Sequence, residues 1–164
     1  DSACRKPSTE TLAMAQIRHI AIQTQDEEAT KNFYVENFGL KVVRKLQSER
    51  TSGYFLTDGH INLAILHFKN DVVAGVERGK GWSGIHHIGF QVESLDEMVE
   101  RLEKSGAAKP RDDINAALGI AGGAPGHGNV EMRFAGPDNV NFDISQTGWM
   151  GTPTHTIRPE AEKV

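Results

Sequence analysis

The chain has 164 residues, 38% hydrophobic and 24% charged, which is enough apolar material for one buried core and little room for a second domain. Eighteen basic against 22 acidic side chains leave a formal charge of −4, which argues against broad, sequence-independent nucleic-acid binding. Cys4 is the only cysteine, so an intrachain disulfide is excluded.

No apolar run approaches the roughly 20 residues of a membrane span. The polar stretch before Met14 lacks the apolar segment of a secretory signal. The expectation is a cytoplasmic domain with residues 1–15 as a flexible leader. The first strand is predicted over residues 17–24, with Ile20 and Ile22 facing one way and His19, Ala21 and Gln23 the other. A helix follows, capped by Thr24 or Asp26, with Ala29, Phe33 and Phe38 as apolar positions and Gly39 as its stop. Strands over 41–47, 54–57 and 61–67 come next, and 68–83 reads as a connection.

The pattern then restarts. His87-Ile88-Gly89-Phe90-Gln91 repeats His19-Ile20-Ala21-Ile22-Gln23, with His, Ile and Gln at the same three places. The second strand of this kind is predicted over 87–92. Ser94 with Glu97 is a capping-box pattern, Leu95, Met98, Val99 and Leu102 recur at helical spacing, and Gly106 is a natural stop. A short strand after Ala108, a Gly-rich loop over 117–128, and strands over 130–134 and 140–145 complete the copy. Pro137-Asp138-Asn139 is the turn between the last two strands, and a polar tail begins at Thr152.

Alternation places His19, His87, Asp143 and the pair His60 and Asn62 on the polar side of these strands. Two histidines and a carboxylate are the donor set of a facial triad, which leaves open positions on Fe(II), Mn(II) or a similar ion. A lone strand histidine is ordinarily a satisfied polar residue. Two at equivalent places in a repeat converge if the copies pack about a pseudo-twofold axis. His60 is a general base near neutral pH, a replacement ligand, or a surface histidine at a strand end. Glu131 and Arg133 alternate with Val130, Met132 and Phe134, so they line a cavity or form a solvated cross-strand pair, and Arg44 has the same ambiguity. His127 sits in the Gly-rich loop, whose glycines lack the Lys-Ser or Lys-Thr of a phosphate-binding loop.

Three segments carry a resemblance: Ile17-Arg18-His19-Ile20-Ala21-Ile22, Gly84-Ile85-His86-His87-Ile88-Gly89-Phe90, and Gly136-Pro137-Asp138-Asn139-Val140-Asn141-Phe142-Asp143. Together they resemble the vicinal oxygen chelate superfamily, which includes glyoxalase I, methylmalonyl-CoA epimerase, extradiol dioxygenases and fosfomycin-modifying thiol transferases. The resemblance implies an α+β fold in which two βαβββ modules form a curved mixed sheet around a metal cavity, with the helices outside. The modules would be 16–67 and 84–148, joined by a linker at 68–83 within one domain at 16–151, followed by the tail at 152–164. It also implies a divalent metal ion held by His19, His87 and Asp143, the last standing where Glu is usual. His86 would face the other way, supporting the ligands from behind or packing. Relatives usually carry Glu or Gln on the last strand of the first module, where this chain has Ala64.

The implied function is a metal-dependent enzyme that chelates vicinal oxygens of a small substrate. Three ligands favour dioxygenase-like chemistry with Fe(II); a lyase or isomerase using Mn, Co, Ni or Zn is the alternative, and a small-molecule binding or resistance protein is the non-enzymatic one. His60 and Glu131 are the candidates for proton transfer, and Asn62, Arg133 and Asn141 for substrate binding. A homodimer is expected, without nucleic-acid or membrane partners.

Overall fold

The first copy folds as β1 (Gln16–Gln23), α1 (Glu27–Phe38), β2 (Lys41–Gln47), β3 (Thr51–Thr57) and β4 (Asn62–Phe68). The connection carries a one-turn helix, α2 (Asp71–Ala74). The second copy folds as β5 (Gly84–Gln91), α3 (Leu95–Ser105), β6 (Lys109–Pro110), α4 (Asp112–Ala117), β7 (Glu131–Ala135) and β8 (Asn141–Ser145). This computed structural model describes residues 12–119 and 131–156. His127 and most of the Gly-rich loop lie outside the described residues, but the loop's first residue ends α4, whose Ile114 is fully buried.

All eight strands join one curved mixed sheet in the order β2-β3-β4-β1-β5-β8-β7-β6. Each half repeats one plan: its first and last strands pair in parallel, β1 with β4 and β5 with β8. The halves meet where β1 pairs antiparallel with β5, so the two opening strands are neighbours at the centre. This is the α+β architecture of paired βαβββ modules.

Local chemistry sets the helix boundaries. Asp26 caps α1 by accepting from the Ala29 amide at 2.9 Å, and Ser94 caps α3 by accepting from the Glu97 amide at 3.3 Å. The turn before β8 places Asp138 and Asn139 at φ of 57° and 59°, a left-handed conformation that these two residue types tolerate best after glycine.

The two sheet faces are packed differently. On the outer face of the first half, Tyr54, Leu56 and Ile65 pack against Tyr34 and Val35 of α1. Glu27 of α1 ties into the sheet by accepting from Ser52 Oγ at 2.8 Å and pairing with His67 at 3.0 Å. In the second half an apolar hollow of about 400 Å³ separates α3 from β5 and β8, between Met98 and Leu102 on one side and Phe90 and Phe142 on the other. The inner face is not open. Ala21, Ala64, Leu66 and Phe68 are covered by Val73 and Ala74 of α2, with Ala117 and Leu118 against them. The histidine side of the strands is therefore part of the core. Burial of each large aliphatic or aromatic side chain is worth about 1.5–3 kcal/mol.

Candidate metal centre

His19 of β1, His87 of β5 and Asp143 of β8 come together on the inner face, and one ligand atom from each lies within 4.8 Å of the others. They are 3%, 3% and 1% exposed. The register explains the convergence. His19 and His87 flank the β1–β5 seam, where Ala21 pairs with His87 and His19 with Gly89. Gly89 also pairs with Asp143 across β5 and β8. The equivalent pair in the first half is Ala21 with Ala64, so Ala64 occupies the symmetry mate of Asp143 and offers no donor.

Hydrogen bonds decide which imidazole nitrogen carries the proton. Asn62 Nδ2 donates to the Met150 carbonyl at 2.9 Å, which turns Asn62 Oδ1 toward His19 Nδ1 at 2.8 Å. His19 therefore donates from Nδ1 and keeps its lone pair on Nε2. A longer chain orders His87. The Ala74 carbonyl can only accept, so His86 Nε2, at 2.6 Å, donates to it. His86 Nδ1 then accepts from His87 Nδ1 at 2.7 Å, leaving the His87 lone pair on Nε2. The two Nε2 atoms face each other at 3.1 Å. Two lone pairs at that distance repel unless a cation lies against them.

Electrostatics reinforce this arrangement. Burial pushes His19 and His86 down to about 4 and His87 well below its ordinary range, so all three rings are neutral at pH 7. Burial alone would raise Asp143, but the Arg133 guanidinium outweighs it and holds the carboxylate ionised. Arg133 Nε and Nη2 reach Asp143 Oδ1 and Oδ2 at 2.7 and 2.9 Å, and Nη2 also donates to His87 Nε2 at 3.0 Å.

Trp149, fully buried, forms one wall. Its ring stacks on His19 with centroids 4.8 Å apart and planes 5° from parallel. Gly89 makes room for this stack: a Cβ there would lie 2.7 Å from the indole and 2.8 Å from His19 Cβ. Residues 16–144 match the model of the Glyoxalase/Bleomycin resistance protein/Dioxygenase superfamily. The chain belongs to that superfamily.

Among similar proteins, a putative lactoylglutathione lyase of Brassica oleracea var. gemmifera is 28% identical over 79% of this chain and 44% of its own length. The uncharacterized protein YwkD of Bacillus subtilis is 31% identical over 58% of this chain and 75% of its own. The chain thus spans less than half the length of its plant relative. Among solved structures, the hypothetical protein BH1468 of Bacillus halodurans aligns with a TM-score of 0.64 at 19% identity, covering 81% of this chain and 94% of that one. A variant methylmalonyl-CoA epimerase of Streptomyces coelicolor in complex with 2-nitronate-propionyl-CoA aligns at 0.62 and 20%, covering 81% and 97%. These structures share the fold.

Several sequence expectations need correction within this superfamily fold. His60 does not join the cluster: β4 starts at Asn62, and His60 lies exposed in the preceding bend, where its amide is held by Asp58. Arg44 is likewise exposed. Asn62 is hydrogen-bonded to His19 and Met150, and Asn141 accepts from Arg111 Nη1 at 3.1 Å, so both carboxamides hold protein groups in this structure. Glu131 is half-buried on the strand face of Arg133. His86 does not face away. It is the extra residue of a β-bulge, since Ala21 pairs with His87 while Ile22 pairs with Ile85, and it turns inward beside His87. The tail is not free at its start, because Thr152 is buried and the Thr156 amide donates to the Thr147 carbonyl at 2.8 Å. Trp149 had no periodic signal in the sequence, and neither did the bulge that turns His86 inward.

Proposed function

We propose that this chain is a divalent-metal-dependent enzyme of lyase or isomerase type, acting on a small substrate that presents neighbouring oxygens. One observation carries the reading. Two neutral imidazoles with fixed tautomers present their lone pairs to each other at 3.1 Å, beside a buried ionised carboxylate. That donor chemistry fits a borderline divalent ion held by His19, His87 and Asp143. Such an ion, when bound, polarises the substrate's oxygens and stabilises the negative charge that develops on them.

The protein's own residues do the rest. Asn62 and His86 keep the imidazoles oriented, and Trp149 excludes water from one side of His19. Glu131 accepts a proton from the substrate and returns it, the step that inversion or rearrangement at a carbon beside a carbonyl requires. The names of the relatives, a lyase and an epimerase, support this subclass. A second reading, oxygen-dependent chemistry with Fe(II), is favoured by Ala64, which leaves more positions open to a chelating substrate and a further ligand.

The test is metal analysis of protein purified without added metal, followed by assays of α-carbonyl and catechol-like substrates in air and under argon. Turnover under argon with Mn, Co, Ni or Zn, lost in Glu131→Gln, is the expected outcome. Turnover that stops without oxygen selects the second reading. Full metal content in a His19→Ala, His87→Ala double variant overturns both.

A further inference from the structure

We propose that Arg133 is a built-in competitor for the metal: its guanidinium lies on the lone pairs that the ion requires, so the ion binds only as Arg133 withdraws. The inference rests on the metal-centre reading above and concerns what sets the affinity of that centre.

The geometry is specific. Arg133 covers both oxygens of Asp143, at 2.7 and 2.9 Å, and the Nε2 of His87, at 3.0 Å. Two of the three candidate ligands are thus engaged by one planar fork. A guanidinium does not lose its proton in a protein, so it cannot make way by becoming neutral. If it stayed, an ion and a guanidinium would share one carboxylate inside a site sealed from solvent, where like charges are poorly screened.

The guanidinium is also incompletely satisfied where it lies: its Nη1 is buried without a hydrogen-bond partner among the described residues. Its backbone stays fixed, because the Arg133 amide donates to Asn115 Oδ1 at 2.8 Å and Asn115 Nδ2 donates to the Arg133 carbonyl at 3.0 Å. The proposed withdrawal would therefore be confined to the side chain and would leave a cationic donor near the metal position. A substrate with an anionic oxygen beside its chelating pair suits that arrangement.

The experiment titrates Co(II) by calorimetry into chelator-treated wild type, Arg133→Met and Arg133→Lys. Removing the charge should tighten Co(II) binding at least tenfold, while Arg133→Lys, which keeps the charge, should stay within a few-fold of wild type. Zn(II) added to nitrogen-15-labelled wild type should shift the Arg133 Nε–H signal, assigned by its loss in Arg133→Lys, and this readout decides the matter if Arg133→Met does not fold. If wild type binds metal but Arg133→Met is no tighter, or the Nε–H signal does not move as Zn(II) binds, the competition is overturned and the metal centre stands. If neither wild type nor Arg133→Met binds either ion, both readings fall.

Discussion

Asn62 and His86 are not among the three candidate ligands, yet they determine which nitrogens of His19 and His87 are free. Removing either partner lets its ring rotate or take the other tautomer. Asn62→Ala and His86→Phe should each weaken Co(II) binding by about 10–100-fold while leaving the three ligands in place; calorimetric titration of the metal-free proteins measures this. Trp149→Ala should cost about 3–5 kcal/mol in urea unfolding, as for other buried aromatic truncations. His19, His87 and Asp143 were legible in the sequence because strand alternation and an internal repeat act together. Arg133 was legible only as a choice between cavity wall and surface pair. Its engagement with Asp143 depends on the register of β7 against β8, where Arg133 and Asp143 are direct partners, and no local pattern encodes that.

The short elements covering the inner face are tied together by one cationic side chain. Arg111, just before α4, pairs with Glu77 of the connection at 2.6 Å and with Asp113 at 2.9 Å. Glu77 is nearly half exposed, so the pair is worth at most about 1 kcal/mol in global stability. Its effect is local. Glu77→Gln should leave the unfolding midpoint almost unchanged while speeding amide exchange at Asn115 and Leu118 several-fold in hydrogen-exchange measurements. The long strands and both long helices were legible in sequence, because their caps and periodicities are local. The connection was not: α2 is a single turn, too short for a periodic signal, and what fixes it is burial of Val73 and Ala74 under the sheet. The bulge at His86 broke the alternation for the same kind of reason, since it exists only through pairing with β1.

At the scale of the molecule, the halves depend on each other through β1 and β5. A fragment of residues 16–67 leaves the β5 side of β1 unpaired and the inner face half covered. It should associate or precipitate on gel filtration, and a stable monomer would contradict the shared-core arrangement. The repeat made the two-half plan visible in the sequence, but it did not reveal that the polar face would be buried.

The metal-free protein should lose stability on mild acidification. His19 and His86 titrate near 4 when folded, below their ordinary value of 6.5, so between those values the unfolded chain takes up more protons. Their contribution is complete above about 6.5 and is lost as pH falls toward 4. Unfolding free energies from urea titrations should therefore fall between pH 7 and 5 by an amount on the order of a few kcal/mol. Glu77, held down to about 2 by Arg111, contributes to acid loss only below 4.5.

The stack of Trp149 on His19 has an optical consequence. The chain contains two tryptophans: Trp149 is fully buried, whereas Trp82 is half-buried and lies under the Arg78 guanidinium at 4.2 Å. Their emission should separate, the buried indole to the blue of the other. An event at His19 Nε2 changes the electronic character of the ring against which Trp149 lies. Blue-edge fluorescence should therefore change as the centre fills, while red-edge emission stays constant, giving the unlabelled protein an internally referenced reporter of occupancy.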